Sequence, residues 1–382
     1  MSQINVRNLS NENDDGSPEI VGVSTFSATS FFVPPKGSTA ERPSDCEPGS
    51  IRFNTDTANL EYFRGKTLGW SQFELVTPNL GGGTGSNTGL GIRGLFAGGF
   101  ISPTGTARTN IIDFITISTL GDAQDFGDRT HVSDTAAGAA SKTRGVIAGG
   151  YAGSETNVIE FVTISSLGDA LDFGDLPSNR RNRDGCGDTV RGLFGGGYPF
   201  SAQIDYITFE SLGNAIDFGD LTQTRYNSGA LSSSTRAVFA GGNASPTSPV
   251  SDVIDFVTIR TTGNATDFGD LIGTMGTGGF SGTSNSTRGL IGIADSNSIE
   301  FITIATTGNA QDFGDATYNL GSHAAAGSPT RAVFAGGGAS PAPLTNSMDF
   351  VEILTTGNGL DFGDLTDGRQ SLAGFSNGHG GL

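Results

Sequence analysis

Short apolar runs, punctuated by Gly, Asn, Asp and Thr, recur along most of this chain, and none reaches the roughly 18 apolar residues of a membrane-crossing helix. In one representative stretch a small-residue strand is expected near residues 228–233, followed by strands at Arg236–Ala240, 253–259 and 265–271. Within 254–259 the apolar side chains occupy both alternate faces, so that strand must be covered on both sides. Thr262-Gly263-Asn264 supplies a hairpin turn, because Gly and Asn tolerate positive φ. Gly241-Gly242 closes the second strand where a β-branched side chain would clash.

The stretch is one copy of a repeat. Asp-Phe-Gly-Asp begins at Asp125, Asp172, Asp217, Asp267, Asp312 and Asp361, at intervals of 47, 45, 50, 45 and 49 residues. Upstream of each copy an acid precedes an aromatic residue: Asp113-Phe114, Glu160-Phe161, Asp205-Tyr206, Asp255-Phe256, Glu300-Phe301 and Asp349-Phe350. Further upstream an Arg opens a small-apolar strand, at Arg93, Arg144, Arg191, Arg236, Arg288 and Arg331. Buried charges need partners, so the repeated Arg is expected to pair with the repeated acid.

Four short strands in 45–50 residues fit a propeller blade, which is sandwiched between its neighbours. After the sixth motif, residues 365–378 match the first strand of a further unit, whereas the residues just before Arg93 are Gly-rich. Closure is the economical solution: residues 366–378 complete the first blade and remove an exposed edge. A solenoid would need caps at both ends. The Arg, the apolar triplet and the Gly-Gly pair resemble kelch repeats over about residues 92–382, without kelch's later Trp. The expected fold class is therefore all-β: a six-bladed kelch-like β-propeller closed by a C-terminal strand, preceded by a small β-hairpin module.

Residues 1–80 lack the repeat. The expected division is an extended arm at 1–35, a β-hairpin attachment module at 36–80, a Gly-rich linker at 81–91 and the propeller at 92–382. Ile51-Arg-Phe-Asn and Leu60-Glu-Tyr-Phe alternate like strands around an Asn/Thr/Asp turn. So small a module buries little apolar surface alone, and should be held by sister copies or by another protein.

The opening Met1-Ser-Gln-Ile-Asn-Val-Arg-Asn, the phrase Gly49-Ser-Ile-Arg-Phe-Asn-Thr with Leu60-Glu-Tyr and Gly69-Trp70, and the repeated Thr-Thr-Gly-Asn-Ala-Thr-Asp-Phe-Gly-Asp-Leu resemble virion appendage proteins of marine tailed phages, notably those of cyanobacteria. The resemblance implies a tail, neck or fibre protein of the virion, assembled in the host cytoplasm. It also implies attachment to other virion proteins through residues 1–80, with the distal domain free to meet a host-surface glycan or protein, or another fibre. A capsid decoration protein and a glycan-cleaving propeller enzyme are the alternatives.

Charge and composition narrow the partners. The formal net charge is −18, from 39 acidic and 21 basic side chains. Three acids and one Arg per repeat account for −12 of it, so the acidity belongs mainly to the scaffold. It argues against nucleic acid, whose phosphates it would repel. No membrane insertion is expected, and the opening residues lack a signal peptide's apolar core. Cys46 and Cys186 are too few for a disulfide framework.

Candidate chemistry is thin. Asp-Phe-Gly in six copies, without a nucleotide loop or a catalytic His-Arg-Asp, is structural and not a kinase motif. His131, His323 and His379 lie in different units without metal-ligand spacing. No catalytic residue, metal or cofactor is expected, and the chain reads as no enzyme. What varies between units is the connection from second to third strand, which shares one face with the blade-to-blade connections. Phe100, Tyr151, Tyr198 and Phe200 fall in the former, and Arg180, Arg181, Arg183, Arg225 and Tyr226 in the latter. Aromatic and Arg side chains are the usual contact anchors, so Phe100, Tyr151, Tyr198, Phe200, Arg180, Arg183, Arg225 and Tyr226 are the candidate binding residues.

Overall fold

The computed structural model describes residues 34–57, 59–72, 91–101, 107–244, 250–273, 278–338 and 344–382. The expected arm and Gly-rich linker fall almost wholly outside them. The chain divides into two compact units, Met1–Val76 and Thr77–Leu382. Among the described residues there is no α-helix, and the strands form seven four-stranded sheets.

In the smaller unit, Ile51–Asn54, Asn59–Phe63 and Trp70–Gln72 form an antiparallel meander, with Lys36–Gly37 added in parallel beside the first. Its interior is mostly polar. Glu61 is fully buried and receives Arg42 and the Asn54 amide, while Phe63 is the one buried hydrophobic side chain among the described residues of the unit. Arg42 donating to Glu61 outweighs burial and holds that carboxyl below its usual range. Ile51, Leu60 and Leu68 stay exposed.

The larger unit holds six antiparallel sheets. In the fourth the strands run Gly229–Ser232, Arg236–Ala240, Val253–Thr258 and Thr266–Asp270, within two residues of the sequence expectation. We call these positions inner, second, third and outer. The first sheet is completed from the far end of the chain: Ala373–Ser376 is its inner strand, paired antiparallel with Arg93–Ala97. The inner strands, Ala373–Ser376, Ala137–Ala140, Asp184–Gly187, Gly229–Ser232, Ser281–Ser284 and Ala324–Gly327, contact one another in a closed cycle. Apart from Asp184, Leu231 and Phe375 they are built of small residues, because six strand edges crowd one axis. A Cβ on Gly138, for example, would stand 2.7 Å from the Gly374 carbonyl oxygen.

Two repeated joints link each sheet to the next, a third recurs in four of the six, and each closes from the sixth onto the first. The second-strand Arg stacks on the third-strand aromatic of its own sheet and donates to a carbonyl of the following one, as Arg93 does to Ile164 (2.7 Å) and Arg288 to Ile353 (2.9 Å). Arg331 closes that series on Ile117 and Ser118. The Phe of Asp-Phe-Gly-Asp packs edge-on against the same aromatic, as Phe126 does on Phe114. The Gly of the motif adopts positive φ and lies against the hairpin glycine of the next sheet, Gly127 against Gly168 and finally Gly363 against Gly121. Across this joint Gly168 N–H donates to Phe126 O, and Asp128 N–H donates to the Asp169 carboxylate. The motif is an inter-sheet seam.

The third joint corrects an expectation. The second-strand Arg does not pair with the third-strand acid. Asp113, Glu160, Asp205 and Asp255 instead take Arg369, Arg129, Arg183 and Arg225 from the connections that lead into their sheets.

Candidate contact face

The face carrying these connections rests on that layer of buried charge. Arg183 lies 2.6 Å from Asp205 and Arg225 lies 2.8 Å from Asp255, each pair almost fully buried. Both arginines also donate to main-chain carbonyls, Arg225 to Val253 and Phe239. This removes Arg183 and Arg225 from the surface contacts expected of them, because a buried carboxylate without its cation would be costly. Thr222 and Thr366 add a backbone N–H and a hydroxyl to Asp255 and Asp113.

Sheets five and six lack such an Arg. Glu300 receives the Ile272 and Gly273 N–H groups, and Asp349 receives the N–H and hydroxyl of Thr317. Tyr318 stands where Arg would, its hydroxyl 3.1 Å from Phe334 O and 3.0 Å from Ser347 O. Burial consequently raises both carboxyls, while at Glu160 burial is outweighed by Arg129 and Thr130, which hold that carboxyl low.

Above this layer the aromatic and Arg residues of sheets one to four join into one strip. Arg108 lies over Phe100 (5.8 Å) and Tyr151 (4.6 Å), and Arg181 over Tyr151 (4.7 Å) and Tyr198 (4.5 Å). Tyr226 packs edge-to-face with Tyr198 and Phe200, with ring centroids 5.5 and 5.1 Å apart. Bridges Asp134–Tyr151, Arg181–Tyr198 and Tyr226–Asn243 tie the two kinds of connection together, as the shared face requires. Arg108 is held 3.0 Å from Asp134, and Arg180 reaches Pro199 O and the Gln203 amide at 3.4 and 3.5 Å. Six of the eight expected contact residues are therefore half-buried or exposed on this face, Tyr198 the most open at 36%. Arg108 was missed, since a loop residue carries no periodicity to flag it.

Beside the strip the inner strands open into a small cavity of about 70 Å³. Its mouth carries Thr135, Asn182, Asn227, Ser322 and Ser371, all at positive φ, with Gly279 in the remaining sheet. Backbone hydrogen bonds chain them: Ser371 N–H to Ser322 O, Thr135 to Ser371, Asn182 to Thr135 and Asn227 to Asn182. Asp184 is the one acid lining the cavity among the described residues. Burial pushes its carboxyl well above the usual range, against the Gly185 and Ala230 N–H groups that it accepts. At the opposite end His379 Nε2 sits 2.8 Å from Ala140 O, and Gly380 lies against Asn285 and Ser232, so the chain's own last residues fill the axis. His323 is buried, bonds Leu320 O and packs on Phe334. No group of three or more His, Cys, Asp or Glu able to hold a metal occurs among the described residues.

No protein-family model matches the chain, and no curated protein matches it significantly. The candidate face therefore stands on geometry: a strip of aromatic rings and guanidinium groups on four of six sheets, beside a narrow axial mouth.

Proposed function

We propose that the chain is a non-enzymatic structural protein of a tailed-phage virion. In this reading the larger unit is a six-bladed kelch-like β-propeller, the N-terminal module attaches to other virion proteins, and the strip around Tyr151, Tyr198 and Tyr226 meets a host-surface glycan or protein, or another fibre. The closed cycle of inner strands and the C-terminal inner strand support the propeller. The small, polar-cored N-terminal unit supports a segment that needs partners. The observation that carries the role of the face is its asymmetry: the Arg–carbonyl joint and the Asp-Phe-Gly-Asp seam recur in all six sheets, whereas among the described residues the strip occupies four.

A glycosidase needs two carboxyl groups facing each other across about 5–9.5 Å. Among the described residues the axial mouth offers Asp184 alone, which weighs against the enzyme alternative.

Two experiments test the reading. Immunogold labelling of purified particles should place the chain on the virion, and unlabelled particles would count against it. Labelled full-length protein should bind host cells, and Tyr198→Ala with Tyr226→Ala should weaken binding at least tenfold, about 1.4 kcal/mol, without lowering the melting temperature. Unchanged binding would remove the strip from the function.

A further inference from the structure

The end of the sheets opposite the strip carries a second asymmetry. There the hairpins between third and outer strands expose large aliphatic side chains: Leu354 and Leu360 in the sixth sheet, Leu120 in the first, Leu167 and Leu171 in the second, Leu212 and Ile216 in the third. Each is 58–64% exposed. The sheets are consecutive around the cycle, so the side chains form one arc. They also gather at joints. Gly121 N–H donates to Phe362 O, which brings the Leu120 hairpin to the strand that starts at Leu360. Gly213 N–H donates to Phe173 O, which does the same for Leu212 and Leu171.

Sheets four and five have the same joints, yet place Thr262, Thr266, Thr307 and Gln311 where the second and third sheets place Leu167, Leu171, Leu212 and Ile216. The sixth and first sheets are aliphatic at one of these two positions each, with Thr356 and Gln124 at the other, and Leu354 lies two residues before Thr356. The fold therefore has no need of aliphatic residues there. Exposed apolar side chains grouped in this way mark an interaction surface more often than an accident. Charge says what covers it. Asp122, Asp169, Asp172, Asp217 and Asp361 are exposed between the aliphatic residues. The nearby second-strand arginines spend donors on carbonyls, leaving Lys142 as the exposed lysine of this end. Residues 92–382 carry 29 acidic against 15 basic side chains, so a second copy of the same surface would be repelled.

We infer that the hairpin arc from the sixth sheet through the third is a docking surface for a partner protein whose apolar side chains are bordered by Lys and Arg. Apolar burial would supply the affinity, and the interleaved carboxylates would select a basic partner and set its register. The inference does not rest on the role of the opposite face.

The test uses the full chain and a fluorescein-labelled peptide of alternating Leu and Lys, with a Ser/Lys peptide of equal charge as control. The Leu/Lys peptide should bind at least tenfold tighter than the control. Leu167→Thr, Leu171→Thr, Leu212→Thr and Ile216→Thr together, which copy the polar character of sheets four and five and leave the charge unchanged, should at least halve that difference. Thr262→Leu with Thr307→Leu should enlarge it, and keeps the inference falsifiable if the fourfold variant fails to fold. Equal binding of both peptides, or indifference to both sets of substitutions, overturns the arc as an apolar site. A concentration-dependent dimer in sedimentation that the Thr variant abolishes overturns the assigned partner, because the occupant would then be a second copy.

Discussion

Arg236 donates from Nη1 to the carbonyl oxygen of Ile304, 2.9 Å away in the following sheet. Its guanidinium also lies 4.5 Å from the centroid of Phe256. Asp255, one residue before that aromatic, is served by Arg225. The two cations thus act separately, Arg236 fastening neighbouring sheets and Arg225 neutralising a buried carboxylate.

Arg236→Ala removes a charged hydrogen bond and a cation–π contact, but leaves no charge buried alone. Its expected cost is about 1.5–3 kcal/mol. Arg225→Ala strands Asp255 and should cost about 3–5 kcal/mol. Urea denaturation of both variants separates the two roles. A larger loss at Arg236 would contradict the assignment.

The seam made by Asp-Phe-Gly-Asp depends on a glycine. Gly127 has φ +145, and a Cβ there would stand 2.6 Å from the Gly168 backbone. Gly127→Ala should destabilise by about 2–3 kcal/mol, whereas Asp125→Asn, at an exposed side chain, should stay within about 0.5 kcal/mol. Thermal melts of the two variants check the contrast.

Much of this was legible beforehand. The Arg, the acidic-aromatic pair and Asp-Phe-Gly-Asp recur in fixed order, so the fourth sheet's strands and the C-terminal inner strand could be placed from the sequence. The Arg–acid pairing could not, because it depends on register. Arg236 stands opposite Thr258, which puts Phe256 on its face and Asp255 on the other, opposite Phe239. A signal for the true partners existed in Leu221-Thr-Gln-Thr-Arg225 and Leu365-Thr-Asp-Gly-Arg369, which place Thr and Arg alike in two connections. The axial filling by residues 378–381 was not legible, since Gly-His-Gly-Gly is as compatible with a free tail. Gly380 and Gly381 are needed because the Asn285, Ser232 and Gly187 carbonyls lie where their side chains would be.

Burial depresses His323 from 6.5 to about 4. Between those values the unfolded chain binds the proton that the folded chain refuses, so stability is full above about pH 6.5 and falls as pH drops toward 4. The contribution is on the order of 3 kcal/mol. His131 and His379 are lowered in the same direction. His323→Leu, which places there the residue type of Leu372 in the first sheet, should therefore flatten the pH dependence of the melting temperature without abolishing it. An unchanged slope would contradict the buried, neutral histidine.

Deleting residues 373–382 removes the inner strand of the first sheet and exposes the edge of Arg93–Ala97. Loss of cooperative melting, or aggregation, is expected. A truncated chain that melts like the intact one would refute the clasp.

The division of labour between the two units is the central claim, and incorporation into particles measures it most directly. Residues 1–91 fused to a fluorescent protein should be found on purified virions, while residues 77–382 alone should remain in solution as a folded monomer. If the larger unit joins particles by itself and the N-terminal fusion does not, the anchor lies in the sheets and the proposed arrangement is wrong.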